Sequence, residues 1–198
     1  MISAAFALVL HLLAATAALS PATRPVAFSV PAAAISVCFA PQGDCAGFAI
    51  AAIDRARSRI LVNAYNLTTG AGIVEALVRG RERGVDVRLI ADKRTPCERN
   101  TGIDALAAAG APIWIDRTVP IAHAKTMVID DTLTLMGSYN WTRNAARNSE
   151  DLNLVDSRAV AAAYAAQWRS RLAVSVPYAG REDWCRPRRD RNSLDGGG

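Results

Sequence analysis

Beyond residue 34, apolar positions recur in two alternating spacings: every second residue in short runs, every third or fourth in longer ones. The first spacing predicts strands and the second amphipathic helices. Residues 35–39 (ISVCF) read as a strand. Residues 45–59 have helical spacing, with Phe48, Ile53 and Ala56 toward a core and Arg55, Arg57 and Arg59 mostly outward. A strand follows over 59–65, then an amphipathic helix over 72–83 stopped by Gly84. The pattern repeats with a strand over 85–91, a short helix over 102–109 closed by Gly110, and a strand over 112–115. Two strands, 123–129 and 133–136, flank the turn Asp130-Asp131. A strand over 152–155 and an Ala-rich helix over 157–172 complete the series.

Strands alternating with helices predict a layered α/β/α domain. The strands on either side of Asp130-Asp131 must run antiparallel, so the expected sheet is mixed. No internal repeat is visible.

The N-terminal pattern differs. Residues 2–19 (ISAAFALVLHLLAATAAL) are almost wholly apolar or small, and Ala15-Thr16-Ala17 is a candidate cleavage site. No Lys or Arg precedes the run, whose length approaches the ~18 residues at which a membrane anchor becomes feasible. The expected organisation is a signal peptide over 1–22, with an uncleaved N-terminal anchor as the alternative. A Pro/Ala-rich linker over 23–34, a folded domain over 35–185 and a basic, then Gly-rich, disordered tail over 186–198 follow. The expected location is periplasmic or secreted.

Cysteine content fits export. Cys38, Cys45, Cys97 and Cys185 form an even set with three pairings open to it. Cys38 and Cys45 enclose the turn-like FAPQGD, so a local bridge is easily drawn, which leaves Cys97 with Cys185. Zinc is the rival reading, but the spacing is not C-x-x-C. Composition adds little: 51% hydrophobic and 21% charged residues suit a packed core. A net charge of +5, carried by 21 Arg and two Lys (Lys93 and Lys125), is compatible with a polyanionic partner.

The chemistry concentrates in Ile121-Ala122-His123-Ala124-Lys125-Thr126-Met127-Val128-Ile129-Asp130. Alternation along a strand puts His123 and Lys125 on one face with Met127 and Ile129, and Ala124, Thr126 and Val128 on the other. A His and a Lys together on an otherwise apolar strand make sense if both face a pocket that receives an anion. Six residues separate Asp130 from Gly137-Ser138-Tyr139-Asn140. The whole reads H-x-K-x4-D-x6-G-S-x-N, and it resembles the signature of the phospholipase D superfamily at every position. The resemblance covers roughly residues 35–172 and is greatest to the small, single-motif bacterial nucleases of that superfamily.

The resemblance implies a role for each of these residues. His123 is the nucleophile that becomes a phosphohistidine. Lys125 and Asn140 hold the non-bridging oxygens, and Ser138 adds a hydrogen bond. Glu150, with Asp151 as the alternative, bonds the other ring nitrogen of His123 and fixes its tautomer. Asp130 is structural, since it lies about 20 Å from His123 at strand rise. Lys and polar donors supply the positive field, so neither a metal nor a cofactor is required. Arg143 and Arg147, with the Arg-rich 186–191 segment, are weaker candidates for contact with a substrate backbone.

The superfamily's double displacement uses two histidines, one attacking and one protonating the leaving oxygen. This chain has His11, inside the expected leader, and His123. The second histidine must therefore come from another copy, which implies a two-fold homodimer sharing one site. The expected activity is metal-independent hydrolysis of DNA or RNA. The alternatives are phospholipid head-group cleavage and a binding module for nucleic acid or membranes.

Overall fold

A computed structural model of the chain describes residues 33–185. The expected leader, almost all of the linker, and the basic tail lie outside the described residues.

The elements in chain order are β1 (Ala34–Ala40), α1 (Cys45–Asp54), β2 (Arg59–Ala64), α2 (Ile73–Glu82), β3 (Asp86–Asp92), α3 (Ile103–Ala108), β4 (Ile113–Asp116), β5 (Lys125–Ile129), β6 (Leu133–Gly137), β7 (Glu150–Asp156), α4 (Arg158–Leu172), β8 (Val176–Pro177) and α5 (Arg181–Cys185). The strands form one sheet in the order β1-β7-β6-β5-β2-β3-β4-β8. β2, β3 and β4 run parallel, and every other pairing is antiparallel. The architecture is thus the expected mixed α/β layering.

Strand alternation divides the core between two faces. Ile60 and Val62 of β2, Val87 of β3, Met127 and Ile129 of β5 and Leu135 of β6 pack with the buried sides of α1, α2 and α3. Leu61, Ile90 and Val128 point the other way, onto Ala161, Ala165 and Trp168 of α4. Central strands buried on both faces need continuous apolar runs such as ILV and MVI. The indole N–H of Trp168 donates to the Val62 carbonyl at 2.9 Å, fixing α4 on the central strand. Ser157 caps that helix, its hydroxyl accepting from the Val160 N–H at 3.4 Å.

Two boundaries differ from expectation. The helix expected over 45–59 stops at Asp54. Beyond it, the N–H groups of Arg57, Ser58 and Arg59 donate to the Asp130 carboxylate at 2.8, 2.8 and 3.1 Å, so they are not available to a helix. The strand expected from His123 begins instead at Lys125, because its neighbour β2 ends at the pairing Ala64–Lys125. β8 and α5 were not anticipated from the spacing at all.

Asp130 and Asp131 form the β5–β6 turn with φ of 50° and 59°, the left-handed pair of a type I′ hairpin. Burial raises the Asp130 pKa, but its backbone and Ser58 donors outweigh that and hold the carboxyl below its usual value. Asp130→Ala strands those donors and is expected to lower unfolding free energy by about 2–3 kcal/mol. The stabilisation is present above the unfolded aspartate pKa and is lost as pH falls through the lower folded one. Urea titrations of both proteins should therefore converge in acid; an equal gap at every pH would refute the assignment.

Candidate active site

The loop between β4 and β5 carries His123, and two side chains from the end of β3 anchor it. The Ala122 N–H donates to the buried Asp92 carboxylate at 2.7 Å. Lys93 Nζ donates to the Val119 carbonyl at 3.1 Å. These bonds hold the loop at the end of the sheet where parallel strands finish, the usual position for ligands in such sheets.

Lys125 opens β5 and is only 5% exposed, whereas His123 is exposed. The lysine turns back on its neighbour: Nζ lies 2.7 Å from the His123 carbonyl oxygen and 3.0 Å from ring Nδ1. Their proximity thus comes from this return contact rather than from a shared strand face. An ammonium at Nδ1 makes that nitrogen the acceptor, so the neutral ring carries its proton on Nε2. Burial pushes the Lys125 ammonium below its usual pKa, and the charge of Glu150 opposes that shift.

The second motif segment follows β6. At Gly137 an added Cβ would lie 2.3 Å from the Asp151 carbonyl oxygen, so only glycine permits β6 and β7 to meet there. The next residue, Ser138, accepts from the Asp151 N–H at 3.0 Å and donates to Glu150 Oε2 at 2.5 Å. Trp141, fully buried, donates its indole N–H to the Asn63 carbonyl and its backbone N–H to Asn66 at 3.0 and 3.2 Å. Between them Asn140 is half-buried, and its Oδ1 is buried without a partner among the described residues.

His123, Lys125, Ser138, Asn140 and Glu150 line one open cavity of about 730 Å³, completed by residues of β5, β6, β7 and α4. A smaller cavity of about 260 Å³ lies on the other side of His123, against Gln167 and Arg171 of α4. Asp130 is at the far end of β5 and lines neither. Arg143 and Arg147 are exposed on a 3-10 turn (Arg143–Arg147) and line neither cavity, with Arg147 bonded to Asn144 at 2.7 Å.

One expected contact is not formed within the chain. Glu150 binds Ser138 and, through Oε1, the Asn148 amide at 3.1 Å, rather than His123. Asp151 does not reach His123 either; its carboxylate accepts from Asn153 at 2.7 Å. Both acids lie on β7, and ring Nδ1 of His123 is already taken by Lys125. Among the described residues, no cluster of His, Cys, Asp and Glu could hold a metal ion.

Sequence reasoning missed Tyr65 and Asp92. Tyr65 has its ring centroid 4.5 Å from that of His123 and 4.9 Å from Lys125 Nζ. The available signal was its position: an aromatic closing an apolar strand at the end where sites form. Asp92 carried no such signal, since its partner is a backbone N–H 30 residues away.

Four comparisons bear on the arrangement. Residues 49–172 match a family model described as "Cardiolipin synthase, PLD-like domain". Phospholipase D of Rickettsia felis is 34% identical over 140 residues, covering 70% of each chain. Nuc from Salmonella typhimurium, a phospholipase D family member of known structure, superposes with a TM-score of 0.69 at 30% identity, over 74% of this chain and 99% of that one. NucT from Helicobacter pylori has a TM-score of 0.68 at 21% identity, covering 74% of this chain and 100% of that one, a likeness of fold.

Proposed function

The chain belongs to the phospholipase D superfamily and is a phosphodiesterase, and we propose that it hydrolyses nucleic acid through a phosphohistidine on His123, at a site completed by a second copy of the chain. The observation that carries this reading is convergence: His123, Lys125, Ser138, Asn140 and Glu150 line one open cavity.

In the first step Nε2 of one His123 attacks phosphorus and forms the P–N bond as the P–O bond to the leaving group breaks. The leaving oxygen takes a proton from Nε2 of the partner subunit's His123. In the second step that same histidine takes a proton from water, the water oxygen bonds to phosphorus, and the P–N bond breaks. Lys125 and Asn140 meet the non-bridging oxygens, where negative charge accumulates. Asn140 does this through its Nδ2–H donors, since its Oδ1 can only accept. The two copies need different protonation states. The nucleophile is neutral with its Nε2 lone pair free, which needs Lys125 drawn off Nδ1 onto the phosphate. The acid is the imidazolium, with a proton on each ring nitrogen, and becomes neutral as it gives up the one on Nε2.

A nucleic-acid substrate is supported by the +5 charge and by the breadth and openness of the cavity. The phospholipid reading has its own support: the Rickettsia felis relative is named phospholipase D, and Ile35, Val37 and Phe39 form an exposed apolar row on the edge strand β1. The disulfides Cys38–Cys45 and Cys97–Cys185 point to a location outside the cytoplasm. A signal peptide over 1–22 and a periplasmic or secreted product accord with that. Among the described residues no helix is long and apolar enough to cross a membrane.

The test uses the purified protein with plasmid DNA, RNA and phosphatidylcholine vesicles, each in EDTA. Nucleic acid should be cut without added metal, and the rate should fall steeply with salt because phosphate contacts dominate. Head-group release with intact nucleic acid would replace this reading with the lipid one.

A further inference from the structure

We propose that Tyr65 is a positioning residue for the reaction, its aromatic face holding the Lys125 ammonium beside His123. The proposal rests on the reading of His123 and Lys125 as the reacting pair.

A buried ammonium needs a compensating group. Among the described residues Lys125 has two hydrogen bonds, both to His123; the Glu150 carboxylate acts on it through space across the same cavity, but no carboxylate forms an ion pair with it. What faces it is the Tyr65 ring, 4.9 Å from Nζ. The same ring tilts at 52° against the His123 imidazole with centroids 4.5 Å apart. One side chain therefore touches both members of the pair.

The choice of an aromatic over an acid has a chemical reason. A carboxylate would hold the lysine more strongly, but it would cancel the positive field and compete with the phosphate for the same three N–H donors. A π face stabilises the cation by its quadrupole while adding no net charge and accepting none of those donors in full. The field stays available to an incoming anion. Tyr65 is itself held: it follows the last residue of β2, and its carbonyl accepts from the buried Thr95 hydroxyl at 2.6 Å.

The test separates the face of the ring from its bulk. Tyr65→Phe keeps the face, and phenylalanines bearing one, two and three fluorines at the same position then weaken the quadrupole at nearly constant shape. Turnover of bis(p-nitrophenyl) phosphate is followed with His123→Ala as control, and the Lys125 side chain is titrated by NMR through its Cε. Tyr65→Phe should retain turnover. Across the fluorinated series kcat should fall stepwise, by about 2- to 30-fold in all. Weakening the face destabilises the charged lysine, so its pKa should drop in the same order and the alkaline limb of the rate should move to lower pH. Melting temperature should stay constant. A flat series in both readouts, or a loss already complete in Tyr65→Phe, would overturn the assignment. Turnover surviving in His123→Ala would instead remove the underlying reading, and the NMR titration would still decide the contact.

Discussion

His123→Asn is expected to lower turnover of any phosphodiester substrate by at least about 10³-fold, with folding and substrate affinity nearly unchanged. Asparagine keeps a polar group of similar reach but has no nitrogen lone pair able to bond phosphorus. The loss is doubled in kind because, in a shared site, one substitution removes the attacking nitrogen from one copy and the proton donor from the other. Lys125 acts on the same transition state, so His123→Asn with Lys125→Met should be hardly worse than either alone. The ring is exposed and its removal opens no core void, so the melting temperature should move little. Mixing gives the sharpest result. In a 1:1 co-refolded mixture of wild type and His123→Asn, about a quarter of two-fold dimers carry two intact histidines. Activity near a quarter of the all-wild-type value is expected. A value near one half would mean that each chain works alone, and the shared-site account would fail.

Much of this arrangement was legible in the sequence because it is carried by short-range patterns. Short apolar runs in ILVNA and KTMVI mark strands, and Gly84 and Gly110, with φ of 87° and 75°, end the helices where glycine is the residue that tolerates such angles. The motif brought His123, Lys125, Ser138 and Asn140 to one place in advance. Long-range bonds were not legible. Asp130 unwinds the end of the first helix from 73 residues away, and Asp92 holds the His123 loop from 30 residues away. Neither leaves a local trace, because any residue with a free N–H could be the partner. The Glu150–His123 bond was inferred from roles rather than from spacing, and within one chain Glu150 spends its oxygens on Ser138 and Asn148. Tyr65 was invisible for a related reason: an aromatic at a strand end reads as core until its neighbours are known.

Removing the Cys97–Cys185 bridge, by Cys97→Ser with Cys185→Ser, is expected to lower unfolding free energy by about 4–5 kcal/mol. The bridge closes a span of 88 residues, and the unfolded chain gains the entropy of that whole loop when it is cut. The Cys38–Cys45 bridge spans 7 residues, and the same reasoning gives it about 2–3 kcal/mol. Native contacts do little to offset the larger loss. α5 has no fully buried residue, and it is otherwise held by the partly buried Trp184 against the core and by half-exposed contacts such as Arg181–Asp104 at 3.4 Å and Arg117 over the Trp184 ring at 5.3 Å. With the bridge gone, the segment from β8 onward loses its one covalent tie to the turn Thr95–Cys97. Urea denaturation should show a midpoint lowered by roughly 2 M, given slopes of about 1–3 kcal/mol per M. No residue of that segment lines the 730 Å³ cavity, so turnover measured well below the new midpoint should stay near the wild-type value. If cutting the long bridge destabilises no more than cutting the short one, chain entropy is not what the bridge supplies, and the C-terminal segment must be held by packing instead.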